Sequence, residues 1–283
     1  MAAPERKASP LFRHLAVGML ALGCSDPSPA PEELLPHDDC QAPGRGIIAV
    51  TTPVVHDRAD GECDIVEAFR AAATHEAVHG DCPAGIGGDR IVLTAGRRYS
   101  IEHSLELGGP NSVEVCGEGT AEIAAGPSWT SDPLDRFSTC ALHVAGNAAN
   151  VTLDGVAFSQ SGSTELTGIC TTLGLISIRR ARIAGFEHGG VLGLCEPESG
   201  CDHDGLGQAT TLRVYSSLIE DNRSSENGAG IAAVGVGASL VIEHSSIVNN
   251  VSEASGGGVF YGSGWNNQRI SNSTLSGNRA RTG

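Results

Sequence analysis

Three stretches decide the fold: LRVYSSLIEDN (residues 212–222), LVIEHSSIVNN (240–250) and RISNSTLSGN (269–278). Laid over one another, they align Val214, Ile242 and Ile270, then Ile219, Ile247 and Leu275, then Asn222, Asn250 and Asn278, at a spacing of 28 residues. The blocks that follow, NGAGIAAVG (227–235) and SGGGVFYGS (255–263), keep the same offset, with Gly228 over Gly256, Gly230 over Gly258 and Ile231 over Val259. Within each block apolar residues alternate over short runs broken by Gly, Asn and Ser, which is the period of a strand and not of a helix. Two blocks sharing one period predict a repeat protein, in which a unit too small to bury its apolar face alone buries it against the next.

Working back along the chain, Val151, Leu153 and Phe158 match Ile176, Ile178 and Ile183, and these match Leu212, Val214 and Ile219 across a longer unit. The extra residues hold CEPESGCD (195–202), a loop that a Cys195–Cys201 disulfide would pin. Units of this size with about three strands each predict an all-β parallel solenoid. The recurrent Asn222, Asn250 and Asn278 form a candidate asparagine ladder, each amide bonding the next and so satisfying polar groups that stacking would bury.

Composition agrees: 38 glycines and 4% aromatics in 283 residues describe short strands and tight turns. A formal charge of −15 opposes binding to nucleic acid. Arg6, Lys7 and Arg13 precede a short apolar run, Leu15 to Leu22, too short for a membrane span and suited to an export signal. The run ends in LALGC, which resembles a bacterial lipobox and marks Cys24 for lipidation. The expected organisation is a lipoprotein-type signal over 1–24, a proline-rich tether over 25–39, an N-terminal cap with the first units over 40–110, and repeats over 111–283. Setting Cys24 aside leaves eight cysteines. Loop closure favours Cys63 with Cys82 and Cys195 with Cys201; Cys40, Cys116, Cys140 and Cys170 allow three pairings.

The stacked SxIxxN and GGG(I/V) units resemble the right-handed parallel β-helix repeats of polymorphic outer-membrane-type proteins and of pectate-lyase-like folds. GECDIVEAFRAAA (61–73) resembles the CSLREA domain: Cys63, Glu67, Ala68, Arg70, Ala71 and Ala72 agree with its motif, while Asp64 and Val66 depart from it. CPAGIGGDRIVLTAGRRYSI (82–101) is similar to that family's continuation. The resemblance implies a right-handed parallel β-helix with a short N-terminal capping helix, in an exported bacterial surface protein with no assigned reaction.

HEAVH (75–79) matches a zinc-protease signature, in which His75 and His79 on one helical face would ligate Zn²⁺ with Glu76 as general base. The expected helix over 64–77, capped by Asp64 and stopped by Gly80, instead puts both histidines in a last turn whose dipole favours imidazolium. Cys82 and Gly85 occupy the places where the extended signature needs Gly and His. A metallopeptidase is therefore not expected and no cofactor is assigned; His75, His79, Asp202 and Asp204 are the weak metal candidates. A polysaccharide lyase or hydrolase is the enzymatic alternative, with Asp202 and Asp204 toward Ca²⁺ and Arg179, Arg180 or Arg182 to remove a proton. A glycan-binding module is the other, with Tyr215, Tyr261 and Trp265 stacking on sugars and Glu243, His244 and Asn266 hydrogen-bonding. The leading expectation is a non-catalytic surface or scaffold protein at the outer membrane or cell surface, with secretion as the alternative. Its partners would be cell-surface polysaccharide or other surface proteins, and a membrane through the lipid.

Overall fold

A computed structural model of the chain describes residues 40, 46–56, 58–108, 112–131, 137–145, 150–162, 164–172, 174–195, 210–235, 237–262 and 268–282. Strand β1 (Gly46–Ala49) and helix α1 (Ile65–Thr74) come first, then β2 (Gly88–Leu93), β3 (Arg98–Ile101) and β4 (Leu105–Gly108). The long β5 (Ser112–Ala125) and β6 (Cys140–Ala145) form a second unit, β7 (Asn150–Gln160) and β8 (Thr167–Thr171) a third. A fourth holds β9 (Leu175–Arg179), β10 (Arg182–Ala184) and β11 (Val191–Cys195). Next come β12 (Thr211–Tyr215), β13 (Leu218–Glu220), β14 (Arg223–Ser224) and β15 (Ile231–Gly235). They are copied by β16 (Ser239–Glu243), β17 (Ser246–Val248), β18 (Val251–Ser252) and β19 (Val259–Gly262), then by β20 (Gln268–Ser271), β21 (Thr274–Ser276) and β22 (Arg279–Ala280). The regular unit thus carries four short strands, one more than the apolar pattern suggests, because the two-residue β14 and β18 are too brief to show a period.

The fold is mostly β, and its named strands pair in parallel. One 13-stranded sheet holds the path β20-β16-β12-β9-β7-β10-β13-β17-β21 with β1, β2, β3 and β5; a six-stranded sheet runs β19-β15-β11-β8-β6-β4; a three-stranded sheet runs β14-β18-β22. Successive units pair in register, Leu212 with Leu240, Val214 with Ile242 and Ile219 with Ile247, and these six side chains are at most 2% exposed. Each such burial contributes about 1.5–3 kcal/mol. Leu275 continues the row opposite Ile247 but is 45% exposed, since no described strand lies beyond it.

Two corners explain why the units bend where they do. At the first, β5 and β7 continue as single strands through a shift of register between Cys116 and Ala121, where Gly117 and Gly155 let the backbones meet; a Cβ on either would stand 2.5 Å from the other's carbonyl oxygen. Later units break there at a left-handed residue: Arg180 (φ 48°), Ser216 (47°), His244 (51°) and Asn272 (49°). The next residue secures the turn: the hydroxyls of Ser217, Ser245 and Ser273 accept the N–H of Ala181, Ser217 and Ser245 one unit back, at 3.1–3.2 Å. At the second corner the amide of Asn222 donates to Asn250 Oδ1 and that of Asn250 to Asn278 Oδ1, both at 3.0 Å. A Cβ at Gly190, Gly230 or Gly258 would stand 2.7–3.0 Å from the Nδ2 atoms of Asn222, Asn250 and Asn278, so these glycines make room for the amide ladder.

Helix α1 has Asp64 as N-cap, with a capping box in which Asp64 Oδ1 accepts from Glu67 N and Glu67 Oε2 accepts from Asp64 N. It buries Ile65, Ala68, Phe69 and Ala72 and packs on β4 and β2. The helix ends at Thr74 and not at residue 77. His75 itself adopts the left-handed C-cap (φ 60°) and donates its N–H to Ala71 O, so the stop comes before Gly80. Disulfides join Cys40 to Cys116, Cys63 to Cys82 and Cys140 to Cys170. Among the described residues no helix is long and apolar enough to cross a membrane.

Candidate functional site

The HEAVH segment lacks the geometry its motif needs. His75 is the C-cap, His79 is again left-handed (φ 53°), and buried Val78 makes an isolated bridge to Cys82, so no helical turn separates the two imidazoles. What forms there is a capped knot. Glu67, 1% exposed, lies under His79, whose Nε2 stands 3.9 Å from Glu67 Oε1. Glu67 Oε1 is buried without a hydrogen-bond partner, and the Cys63–Cys82 disulfide packs beside the same carboxyl. Burial chiefly raises the Glu67 pKa, aided by Asp64 and Asp81; the Asp64 backbone N–H and His79 pull the other way. Among the described residues no three His, Cys, Asp or Glu side chains are grouped to hold a metal.

The outward side chains of the long sheet are arranged in rows by strand register. One row runs Arg90, Glu114, Thr152, Ser177, Arg213, Val241 and Arg269. The row beside it runs Cys116, Asp154, Arg179, Tyr215, Glu243 and Ser271. Opposite charges meet along them: Arg90 NH2 lies 2.8 Å from Glu114 Oε2, and Arg269 Nε 3.3 Å from Glu243 Oε1. Arg180, at the corner, grips Asp154 through two donors, one of them Nε at 2.8 Å, and burial lowers its pKa. Arg179 and Arg213 are exposed and make no side-chain hydrogen bond or ion pair among the described residues.

Beyond the first corner a second outward strip is also paired. Arg98 NH1 and Ser159 Oγ both donate to Glu122 Oε1, the former at 2.8 Å, and Arg182 Nε donates to Glu220 Oε1 at 2.8 Å. A surface groove of about 480 Å³ opens next to Arg98, lined by Pro53, Val54, Val55, Ser100, Glu102 and His103. Its size falls in the ligand-pocket range. None of its residues was singled out in the sequence, because the groove is made by a loop before α1 meeting a strand after it.

The proposed sugar-contacting set is split by the fold. Tyr215 and Glu243 are neighbours on the outward row, and His244 occupies the strained corner just beyond. Tyr261 is not an outward residue: it sits in register with Ala233, which is fully buried, packs against the core and donates its hydroxyl to Ala238 O at 2.9 Å. Of the lyase arginines, Arg180 and Arg182 are held by Asp154 and Glu220, which leaves Arg179. Cys24, Cys201, Asp202, Asp204, Trp265 and Asn266 lie outside the described residues, as do the signal and tether over 1–39 and the side chain of Cys195. Compared with family models, curated proteins and solved structures, the chain gives no match.

Proposed function

We propose that this chain is a right-handed parallel β-helix with a CSLREA-like cap, exported and held at a membrane or cell surface through lipid on Cys24, where it acts as a non-catalytic scaffold. The observation that carries the reading is the set of three disulfides built on buried cysteines: Cys40, Cys63, Cys82, Cys116, Cys140 and Cys170 are each at most 3% exposed. Such bridges persist in oxidising compartments outside the cytoplasm. In-register parallel units and the amide and hydroxyl ladders support the β-helix, since like side chains meet there once per turn of the chain. The outward acids Glu114, Asp154, Glu220 and Glu243 are each engaged by an arginine, which favours a stacking role for them.

Expression of the full chain in a bacterial host, followed by fractionation, tests this. Wild type is expected in the membrane fraction with its cysteines oxidised, and Cys24→Ala is expected to release a folded, still oxidised protein. Reduced cysteines in a cytosolic fraction overturn the export reading; unchanged fractionation of Cys24→Ala overturns the anchor alone.

A further inference from the structure

We propose that the outward face of β9, β12 and β16 binds a polyanionic glycan, with Arg179 and Arg213 as its charge contacts and Tyr215 as its stacking platform. The proposal rests on the surface reading above and names the ligand of that surface. On and beside the two outward rows stand five arginines, Arg90, Arg179, Arg180, Arg213 and Arg269, against three carboxylates, Glu114, Asp154 and Glu243. Each of these carboxylates is taken by one arginine, and among the described residues the two left over are Arg179 and Arg213. In a chain of net charge −15, a local excess of two fixed cations is a deviation from the average field and marks where an anion is attracted. Both are exposed, so holding them there does nothing to fill the core.

Geometry sets the class of anion. Arg179, Tyr215 and Glu243 follow one another on adjacent strands, and Arg213 lies on the next row of the same strand as Tyr215. Parallel strands are separated by about 4.8 Å, close to the length of one pyranose ring, so an extended glycan crossing the strands meets a new side chain with each sugar. Tyr215 is half-buried on the outward row between Arg179 and Glu243, where an aromatic ring can stack on a sugar ring. A guanidinium offers paired donors to a carboxylate or sulfate group, which an ammonium does not. One charge per sugar fits two arginines on neighbouring units.

The test uses the purified full-length protein, immobilised dextran sulfate as probe and uncharged dextran as its neutral counterpart. Dextran sulfate is expected to bind with an affinity that falls with salt, and dextran not to bind. Arg179→Gln and Arg213→Gln should each weaken binding about tenfold, the loss of one charge-assisted hydrogen bond, with melting temperature unchanged. Tyr215→Ala should weaken it and Tyr215→Phe should not, while Arg279→Gln, an exposed arginine on the three-stranded sheet, should leave binding intact. No binding of dextran sulfate, equal loss with Arg279→Gln, or tighter binding of single-stranded DNA or polyglutamate each overturns the proposal. Fractionation of Cys24→Ala reads export independently, so a failure here leaves the scaffold reading standing.

Discussion

Between residues 211 and 282 one unit is copied with a constant spacing, whereas between residues 46 and 145 successive units differ in length and in strand make-up. The two regions solve the same problem by different chemistry. In the regular part, like stands on like: serine hydroxyls at the first corner and asparagine amides at the second pass hydrogen bonds from unit to unit. In the early part the links are unlike groups and covalent bonds: Arg90 to Glu114, Arg98 to Glu122, and disulfides from Cys40 to Cys116 and Cys63 to Cys82. A ladder requires the same side chain at the same corner, and this needs a constant period. The changeover is visible at the ladder's end, where Phe186 and Ala181 stand below Asn222 and Ser217 and can offer only their backbone N–H, at 3.0 and 3.2 Å.

Breaking a cross-link should therefore hurt the early region, and breaking a ladder the late one. The largest effect is expected for Cys40→Ala with Cys116→Ala, which opens a closure of 76 residues and should lower unfolding free energy by about 4 kcal/mol in a urea titration. Amide exchange should then quicken in β1, β2 and β5 while β12, β16 and β17 stay protected, because each unit is stabilised mainly by its neighbours. Uniform quickening would show that the two regions unfold as one.

Next in size is Asn250→Ala. Asn250 accepts from the backbone and side chain of Asn222 and donates to Ile219 O and Asn278 Oδ1, so its loss orphans buried groups on both sides and should cost about 3 kcal/mol. Asn278→Ala, at the half-buried end of the ladder, should cost about 1 kcal/mol. Equal losses from the two substitutions would mean that the ladder is not what stabilises this corner.

The smallest effect concerns pH and the cap. Burial raises the Glu67 pKa above its unfolded value, so between those two values the folded chain holds more protons than the unfolded one. Stability from this group is full below the unfolded pKa and is lost as pH rises through the folded one. Glu67→Gln, which can still accept from Asp64 N, should flatten that decline. A stability profile from acid to neutral pH that is the same in wild type and variant would remove Glu67 as its source.

How much of this could be read beforehand depended on the range of the interaction. The alignment of Leu212, Ile219 and Asn222 with their counterparts, and the capping role of Asp64, rest on local spacing and are visible without coordinates. The serine ladder left a signal too, in Ser217, Ser245 and Ser273 at the repeat spacing, though a serine at a turn reads as ordinary. The helix α1 ends three residues before the end that its spacing predicts, because His75 already turns left-handed ahead of Gly80, the residue type that does so most readily.

By itself, the sequence determined that the chain is made of short strands in repeating units, which residues of the late units face inward together, and which asparagines meet. These follow from period, and period is a property of neighbours along the chain. Only the tertiary structure decided that Cys40 pairs with Cys116 and Cys140 with Cys170, that Tyr261 lies over Ala233 and inside, and that of the arginines on and beside the two outward rows Arg179 and Arg213 pair with no carboxylate among the described residues. Those outcomes depend on how far each unit is offset from the one before it. Units of unequal length carry that offset in their packing, where two residues 76 positions apart become neighbours only after every intervening strand has found its place.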